Sequence, residues 1–327
     1  MANFSVLGSG RWGSLIAWYL NKIGHQVTLW GKKGTKEIEK LLKERRNNVI
    51  SFEKSVVITS DLELAINSEY LVISINAQNL RSFLKDLTGN TFNAKGFSEI
   101  LKQKKLILCM KGIEETSGKR LSEIVHNFFP ENKSVAVWVG PGHVGDLIKG
   151  IPTCMVVDSL NEIYKKEIVN KVSSNLIKCY YGNDLIGNEI GAAAKNVLGI
   201  SAGILDALEM ESLKGPLMAR GAKEISNLIE AMGGKRETAY GLCHLGDFQA
   251  TLFSKQSNNR KYGESLVTGE KFSFVAEGVG TSKAINLICN QKNLKMPICN
   301  KIHEIITKGT DPKKSIKELF DTAPCIE

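Results

Sequence analysis

The chain has 327 residues, of which 43% are hydrophobic and 24% are charged, and its formal net charge is +9. This length predicts two domains with ample buried core. No apolar run approaches the roughly 18 residues of a membrane-spanning helix, and the N-terminus enters a strand directly, so we expect neither a membrane span nor a secretory signal.

The positive charge indicates which class of partner to expect. Basic residues are spread along the chain without regularly interleaved aromatic residues, which argues against a nucleic-acid partner. The densest basic run, 32–46, also contains Glu37, Glu39 and Glu44, as is typical of a solvated helix face. A positive field instead favours anionic small molecules such as phosphates.

The seven cysteines are odd in number and scattered, and no two of them form a C-x-x-C pair. This usage predicts reduced thiols in a cytoplasmic protein and argues against a zinc site.

The first half of the chain alternates short β-rich runs with helical stretches. Continuous apolar strands separated by helices predict a mostly parallel sheet covered on both faces. Asp61 is the expected N-cap of a short helix over 61–68. We therefore predict an α/β fold in which residues 1–186 form a Rossmann-type dinucleotide-binding domain. The predicted strands are 3–7, 26–30, 56–58, 70–75, 105–109, 134–139, 153–157 and 177–181.

From about Gly187 helical periodicity dominates and β-branched runs become scarce. Pro216 suits the first position of a helix, and Gly233-Gly234 suits a helix stop. We therefore predict an all-α C-terminal substrate domain over residues 187–327. The predicted helices are 191–208, 216–232 and 282–291.

A glycine-rich segment follows the first predicted strand directly and opens a helix. Gly8 permits a tight turn, Gly10 lets the backbone approach a pyrophosphate, and Gly13 lets the helix pack on the sheet. Glycines after a strand can also be ordinary turn residues, but the strand–turn–helix context favours a dinucleotide cofactor. The segment reads Gly8-Ser9-Gly10-Arg11-Trp12-Gly13.

The end of the second strand indicates which dinucleotide to expect. A carboxylate there would bind a ribose 2′-hydroxyl and repel a 2′-phosphate. The chain instead has Lys32 and Lys33, with no acid before Glu37, and Arg11 adds positive charge. This favours NADP(H) and leaves NAD(H) open; the lysines could also simply begin a charged surface helix.

A single lysine, Lys195, lies in the small and apolar helical segment 191–199. Burying an ammonium costs free energy unless it is paired or gives up its proton easily, so Lys195 is a candidate proton-transfer group. The alternative is a lysine that snorkels from a helix end. A dinucleotide site together with a proton donor suggests a dehydrogenase.

Several motifs in order resemble the NAD(P)-dependent glycerol-3-phosphate dehydrogenases of the bacterial type, over nearly the whole chain. They are the glycine-rich segment and 24–31, 110–114, 140–141, 194–197, 219–221, 241–247, 257–263 and 276–279. The resemblance implies reduction of dihydroxyacetone phosphate by NAD(P)H to sn-glycerol 3-phosphate, a glycerophospholipid precursor, and a possible homodimer.

The resemblance also implies roles for single residues. Lys195 aligns with the family's proton-transfer lysine, and Lys111 aligns with a second lysine that contacts substrate and cofactor. Asp247 would orient Lys195 or a substrate hydroxyl, and Thr251 would contact substrate from the same helix face. Alternatively, Lys111 is a surface lysine, and Asp247 serves as a helix N-cap, a role compatible with the first.

Other positions carry substrate and cofactor roles only by this resemblance. The expected substrate residues are Gly140, Gly142, Ser257, Asn258, Asn259 and Arg260. Val275 and Glu277 are expected near the nicotinamide end of the cofactor, although Glu277 could equally be a helix-start acid.

The chain departs from the family at three places. Asn258 stands where relatives have a phosphate-binding arginine, and an amide does not replace a bidentate arginine. Either Arg260, Lys255 or Lys261 supplies the cation, or the substrate differs. Relatives have Ser-Phe where this chain has Gly142-His143. His143 could be an anion ligand, an acid–base group or polar surface. Relatives also have a proline after the strand that this chain lacks within 76–78. The alternatives are a diverged dehydrogenase and a nucleotide sensor without catalysis.

Overall fold

The computed structural model describes residues 1–89, 97–254 and 256–320. The chain divides into two compact units, here called the sheet unit (Met1–Met110 with Leu121–Leu185) and the helical unit (Lys111–Arg120 with Ile186–Glu327). The sequence predicted one boundary, after residue 186, and thus placed 111–120 in the first domain. The structure assigns that segment to the helical unit, because Ile113 belongs to the helical unit's core and Gly118 packs against Ile288.

The sheet unit contains an eight-stranded sheet in the order β3-β2-β1-β4-β5-β6-β7-β8. All neighbouring strands are parallel except β6 and β7, which are antiparallel. The mostly parallel sheet expected from the apolar runs is confirmed. The strands are β1 Asn3–Leu7, β2 Gln26–Trp30, β3 Val56–Thr59, β4 Tyr70–Ile73, β5 Lys105–Leu108, β6 Val135–Val139, β7 Thr153–Asp158 and β8 Ile177–Tyr181.

Eight helices join these strands within the described residues. The predicted cap is present, since the Asp61 side chain accepts hydrogen bonds from the N–H groups of Glu63 and Leu64. Strand residues such as Phe4 and Trp138 are fully buried in the core. The helices are α1 Arg11–Lys22, α2 Lys36–Glu44, α3 Leu62–Ile66, α4 Leu80–Thr88, α5 Phe97–Gln103, α6 Leu121–Phe128, α7 Val144–Ile148 and α8 Glu162–Val172.

The helical unit has no named strand within the described residues, in agreement with the predicted all-α character. Its second helix begins at Lys214, so Pro216 is the third helical residue and the predicted first position was wrong by two. Gly233 has a φ of 89°, just after this helix ends. The helices are α9 Leu185–Ala207, α10 Lys214–Ala231, α11 Asp247–Phe253, α12 Asn258–Thr268, α13 Glu277–Lys292, α14 Pro297–Lys308 and α15 Pro312–Phe320.

Helix α9 is the centre of this unit. It is small and apolar along most of its length, and Ile190, Ala194, Val197 and Leu198 are buried in the core. A π-helical segment, Leu242–Gly246, runs directly into α11. Among the described residues no helix is both long and apolar enough to cross a membrane.

Candidate active site

The glycine-rich turn of the sheet unit leaves no room for side chains at two positions. Gly8 has a φ of 129°, and a Cβ atom there would lie 2.1 Å from the carbonyl oxygen of Ser74, which follows β4. A Cβ atom on Gly13 would lie 1.9 Å from the carbonyl oxygen of Gly8. Both positions therefore require glycine for the turn itself.

Gly10 is a different case, because a Cβ atom there would meet nothing within 4 Å. It is the N-cap of α1, whose first turn contains no acidic residue. A helix N-terminus favours negative charge, and the missing side chain lets another group come close to the backbone. The residues present therefore fit the pyrophosphate of a dinucleotide.

Two lysines follow β2, next to the residue that packs against the glycine-rich turn. A Cβ atom on Gly31 would lie 2.3 Å from Oγ of the buried Ser9, which fixes the first part of the turn against the end of β2. Lys32 and Lys33 follow and are exposed. With no carboxylate before Glu37, this edge suits a 2′-phosphate electrostatically.

The loop after β6 approaches the same turn within the sheet unit. Gly140 has a φ of 135°, and a Cβ atom there would lie 3.0 Å from the Cα atom of Met155. A Cβ atom on Gly142 would lie 2.7 Å from the ring atom Cη2 of Trp12. The Trp12 ring therefore occupies the space that a serine side chain would need. His143 is half-buried and precedes α7.

Two lysines converge on one aspartate in the helical unit. Nζ of Lys195, on α9, lies 3.2 Å from Oδ1 of Asp247, the first residue of α11. Nζ of Lys111 lies 2.7 Å from Oδ2 of the same carboxylate. Lys195 also donates to the hydroxyl oxygen of Thr251 at 2.9 Å, and that hydroxyl donates to the backbone carbonyl of Asp247. We call these four residues the lysine–aspartate cluster.

Burial and charge set the protonation of the lysine–aspartate cluster. Burial lowers the pKa of Lys195 to about 8; Asp247 opposes this shift and the ammonium of Lys111 adds to it. Burial alone would raise the pKa of Asp247, but the two ammonium groups hold it below its usual range. Asp247 is thus ionised, whereas Lys195 holds a proton that it can release near neutral pH.

Two asparagine amides connect the surroundings of the lysine–aspartate cluster. The Nδ2 group of Asn196 donates to the backbone carbonyl of Lys111 at 3.2 Å. Asn259 donates to Oδ1 of Asn196 at 3.0 Å and accepts from the N–H of Gly278 at 2.9 Å. Both asparagines are buried. They link α9, α12, the start of α13 and the segment that carries Lys111.

Comparison with known proteins identifies the family of this chain. The family models described as NAD-dependent glycerol-3-phosphate dehydrogenase N-terminus and C-terminus match residues 3–164 and 184–317. The chain belongs to this family. A glycerol-3-phosphate dehydrogenase [NAD(P)+] of Fusobacterium nucleatum is 33% identical over 98% of this chain and 97% of its own length. One of Clostridium botulinum is also 33% identical with the same coverage.

Solved structures show the same fold. The crystal structure of glycerol-3-phosphate dehydrogenase from Coxiella burnetii matches with a TM-score of 0.89 at 23% identity, over 98% of this chain and 99% of that one. The yeast enzyme matches with a TM-score of 0.76 at 16% identity, over 98% and 99% of the two chains. The family membership and the dinucleotide-binding fold predicted from the motifs are confirmed.

The structure does not bring every predicted site residue of this glycerol-3-phosphate dehydrogenase family member to the lysine–aspartate cluster. Nε of Arg260 donates to the carboxylate of Asp206, and its Nη2 lies 3.3 Å from Glu264. Asp206 is eleven residues beyond Lys195 on α9, about 16 Å along the helix axis. In this structure the Arg260 side chain is therefore paired with Asp206 and Glu264 and not with the lysine–aspartate cluster.

The remaining substrate and cofactor candidates form a neighbouring group. Ser257 caps α12 by accepting from the N–H of Arg260, and Asn258 is exposed and donates to the carbonyl of Val275 at 3.3 Å. Val275 is exposed, and Glu277 is the half-buried first residue of α13. Of the other candidate cations, Lys261 is exposed and Lys255 lies outside the described residues.

Sequence reasoning missed two residues around the lysine–aspartate cluster. Asn196 was part of a matched motif, but only the fold shows that it bonds to Lys111. His244 was also part of a motif, and it lies buried against α9. Within 1–89, 97–254 and 256–320, no group of histidine, cysteine and carboxylate side chains could hold a metal ion, and the six cysteines there are free thiols.

Proposed function

We propose that this protein is an NAD(P)-dependent glycerol-3-phosphate dehydrogenase that reduces dihydroxyacetone phosphate to sn-glycerol 3-phosphate. The observation that carries the proposal is the buried amine of Lys195, paired with Asp247 and with a pKa of about 8. The full-length similarity to enzymes named glycerol-3-phosphate dehydrogenase [NAD(P)+] supports the substrate.

When bound, the dinucleotide would supply a hydride to the carbonyl carbon of the substrate. Lys195 donates its proton to the carbonyl oxygen, so that the ketone becomes an alcohol and the lysine becomes a neutral amine. Asp247 holds Nζ of Lys195 in place and stabilises the ammonium before transfer. The second ammonium, on Lys111, makes the proton easier to release and adds positive charge for an anionic substrate.

The cofactor roles follow the same residues that were predicted from the sequence. The turn from Gly8 to Gly13 receives the pyrophosphate, and Lys32 with Arg11 favours NADP(H) over NAD(H). In this proposal Lys111, Val275 and Glu277 lie toward the nicotinamide end, as their positions in the family motifs imply.

Turnover with dihydroxyacetone phosphate tests the function directly. The purified protein should oxidise NADPH or NADH in its presence, and Lys195→Met should lose at least about 100-fold in kcat while it binds the dinucleotide normally. Lys223→Met, at an exposed position on α10, is the matched control. The proposal fails if folded protein shows no turnover with either dinucleotide.

The pH profile tests the same proton. Lys195 must be protonated to act in the reducing direction, so kcat should fall as the pH rises past about 8. In the oxidising direction the amine must be neutral, and the dependence should reverse. A reduction rate that rises with pH over this range would contradict the role of Lys195 as the acid.

A second candidate is a diverged dehydrogenase that acts on another polyol phosphate or hydroxy compound. It is favoured by Asn258 at the arginine position, together with the engagement of Arg260 by Asp206 and Glu264. Asn258→Arg should then increase kcat/KM for dihydroxyacetone phosphate strongly. An unchanged or lower value would support dihydroxyacetone phosphate as the native substrate.

The setting of the reaction is also a proposal. We propose a homodimer in the cytoplasm that supplies sn-glycerol 3-phosphate for glycerophospholipid synthesis. The free thiols of the described cysteines support the cytoplasmic setting, whereas the dimer and the lipid role are what the family resemblance implies. Light scattering after size-exclusion chromatography should give twice the chain mass, and a monomer would contradict the dimer.

A further inference from the structure

His244 lies in the π-helical segment, three residues before Asp247, and its side chain is fully buried. Its Nδ1 atom lies 3.1 Å from the backbone carbonyl oxygen of Gly191 on α9. A carbonyl oxygen only accepts hydrogen bonds, so Nδ1 carries the proton and donates. The imidazole is therefore the Nδ1–H tautomer, and Nε2 has only a lone pair.

The acceptor of this bond belongs to the helical turn that carries Lys195. Gly191 is four residues before Lys195, and in an α-helix its carbonyl also accepts the N–H of Lys195. A Cβ atom on Gly191 would lie only 2.8 Å from the Cβ atom of His244. The imidazole thus bonds to the same carbonyl group that accepts the backbone N–H of Lys195. The close contact is possible because residue 191 is glycine.

On its other side, the imidazole has a buried nitrogen atom whose desolvation destabilises the fold. It stacks on Phe248, with ring centroids 5.8 Å apart and planes 23° apart. Nε2 is buried and has no hydrogen-bond partner within the described residues. A hydrocarbon side chain would fill the same space without that cost, so the benefit of histidine at this position has to come from the Nδ1–H bond.

We propose that His244 is a positioning residue whose bond to Gly191 fixes the π-helical segment on α9 and so places Asp247 against Lys195. The proposal rests on the proposed function in so far as Lys195 is the proton donor. It assigns His244 no contact with substrate or cofactor.

The imidazole of His244 is neutral, so it affects Lys195 through the position of Asp247 and not through charge. Burial lowers the pKa of His244 to about 4, while the Gly191 carbonyl and Asp247 oppose the shift and Lys195 adds to it. Asp247 and Lys195 are the charged groups that act on it from α11 and α9, with Lys111 beyond them on the same carboxylate. A neutral ring adds no charge to the lysine–aspartate cluster, so it acts through position alone.

Two substitutions separate positioning from packing. His244→Phe keeps an aromatic ring against Phe248 but has no donor, whereas His244→Asn keeps an N–H donor near the place of Nδ1. In the phenylalanine variant Asp247 should support the ammonium less well, so kcat should fall about tenfold and the alkaline limb of the kcat profile should move to lower pH by about one unit.

The asparagine variant should restore the wild-type position of the alkaline limb, even where thermal stability is lower. A phenylalanine variant with the wild-type limb and kcat would overturn the proposal, as would an asparagine variant that behaves like phenylalanine. A loss of stability without movement of the limb would show that His244 only packs.

A measurement on the unaltered protein keeps the proposal testable if the variants do not fold, and it needs no activity. Nitrogen-15 NMR of histidine-labelled protein should show the His244 proton on Nδ1 and no titration through the neutral range. A proton on Nε2, or a ring that titrates near neutral pH, would overturn the proposal. An absence of turnover would instead reject the proposed function, and the spectrum would still show whether Nδ1 of His244 donates to Gly191.

Discussion

The glycine-rich turn and the lysine–aspartate cluster are built in different ways. The turn comes from six consecutive residues, and two of its glycines are fixed by backbone atoms at 1.9 and 2.1 Å from a Cβ position. The cluster comes from three segments, and the Lys111–Asp247 pair joins residues 136 positions apart. The turn depends on the absence of side chains at its glycines. The cluster depends on contacts between charged side chains from distant parts of the chain.

This difference determines how each site responds to substitution. At Gly8 and Gly13 of the turn, an added methyl group collides with backbone, so such a substitution should change local structure and ligand affinity together. In the lysine–aspartate cluster, an isosteric substitution keeps the side-chain shape and removes a charge, so it should lower the rate of the chemical step. Single substitutions in each site separate these two kinds of loss.

Among the variants that follow, Asp247→Asn should give the largest loss in kcat. The amide keeps the shape but removes the charge that supports the ammonium of Lys195, and burial and Lys111 remain to lower its pKa further. We expect kcat to fall about 1000-fold near neutral pH with dinucleotide affinity unchanged. Steady-state rates and dinucleotide titration measure the two quantities. Asp146→Asn, at an exposed position of the sheet unit, is the control, and a loss confined to KM would contradict this reading.

Gly13→Ala and Gly10→Ala should divide the turn into its two functions. The methyl group on residue 13 would meet the carbonyl of Gly8, so this variant should lose thermal stability and about 100-fold in dinucleotide affinity. The methyl group on residue 10 meets no protein atom within 4 Å, so this variant should melt like the wild type yet bind the dinucleotide weakly. Calorimetry measures both, and normal binding by Gly10→Ala would remove the pyrophosphate from this turn.

Lys32→Glu should produce a smaller, selective effect. Lys32 is exposed at the end of β2, where water weakens each charge interaction to about 1 kcal/mol. Reversing the charge should therefore lower the preference for NADPH over NADH about tenfold, with kcat unchanged. The ratio of kcat/KM values measures it, and Lys43→Glu on α2 is the control. An unchanged ratio would place the 2′-phosphate elsewhere.

The sequence predicted what depends on local pattern or on composition. The apolar runs identified the strands, the turn followed from its glycines, and Lys195 stood out because it is alone in an apolar helix. It did not reveal that 111–120 packs with the helical unit, because that segment has no periodicity and its membership depends on long-range contacts of Ile113 and Gly118. The π-helical segment and the buried His244 were missed for the same reason.

Arg260 shows this limit most clearly and carries the smallest predicted effect on catalysis. Its position beside Asn258 and Asn259 suggested a phosphate ligand, but its partners Asp206 and Glu264 come from elsewhere on α9 and α12. Arg260→Gln should lower the free energy of unfolding by about 2 kcal/mol, because Asp206 loses one of its cations, while kcat/KM changes less than about twofold. Lys261→Gln, one residue on and exposed, should change neither quantity. Denaturant unfolding and initial rates distinguish the cases: a rise in KM for dihydroxyacetone phosphate at full stability would mean that Arg260 leaves Asp206 to bind substrate.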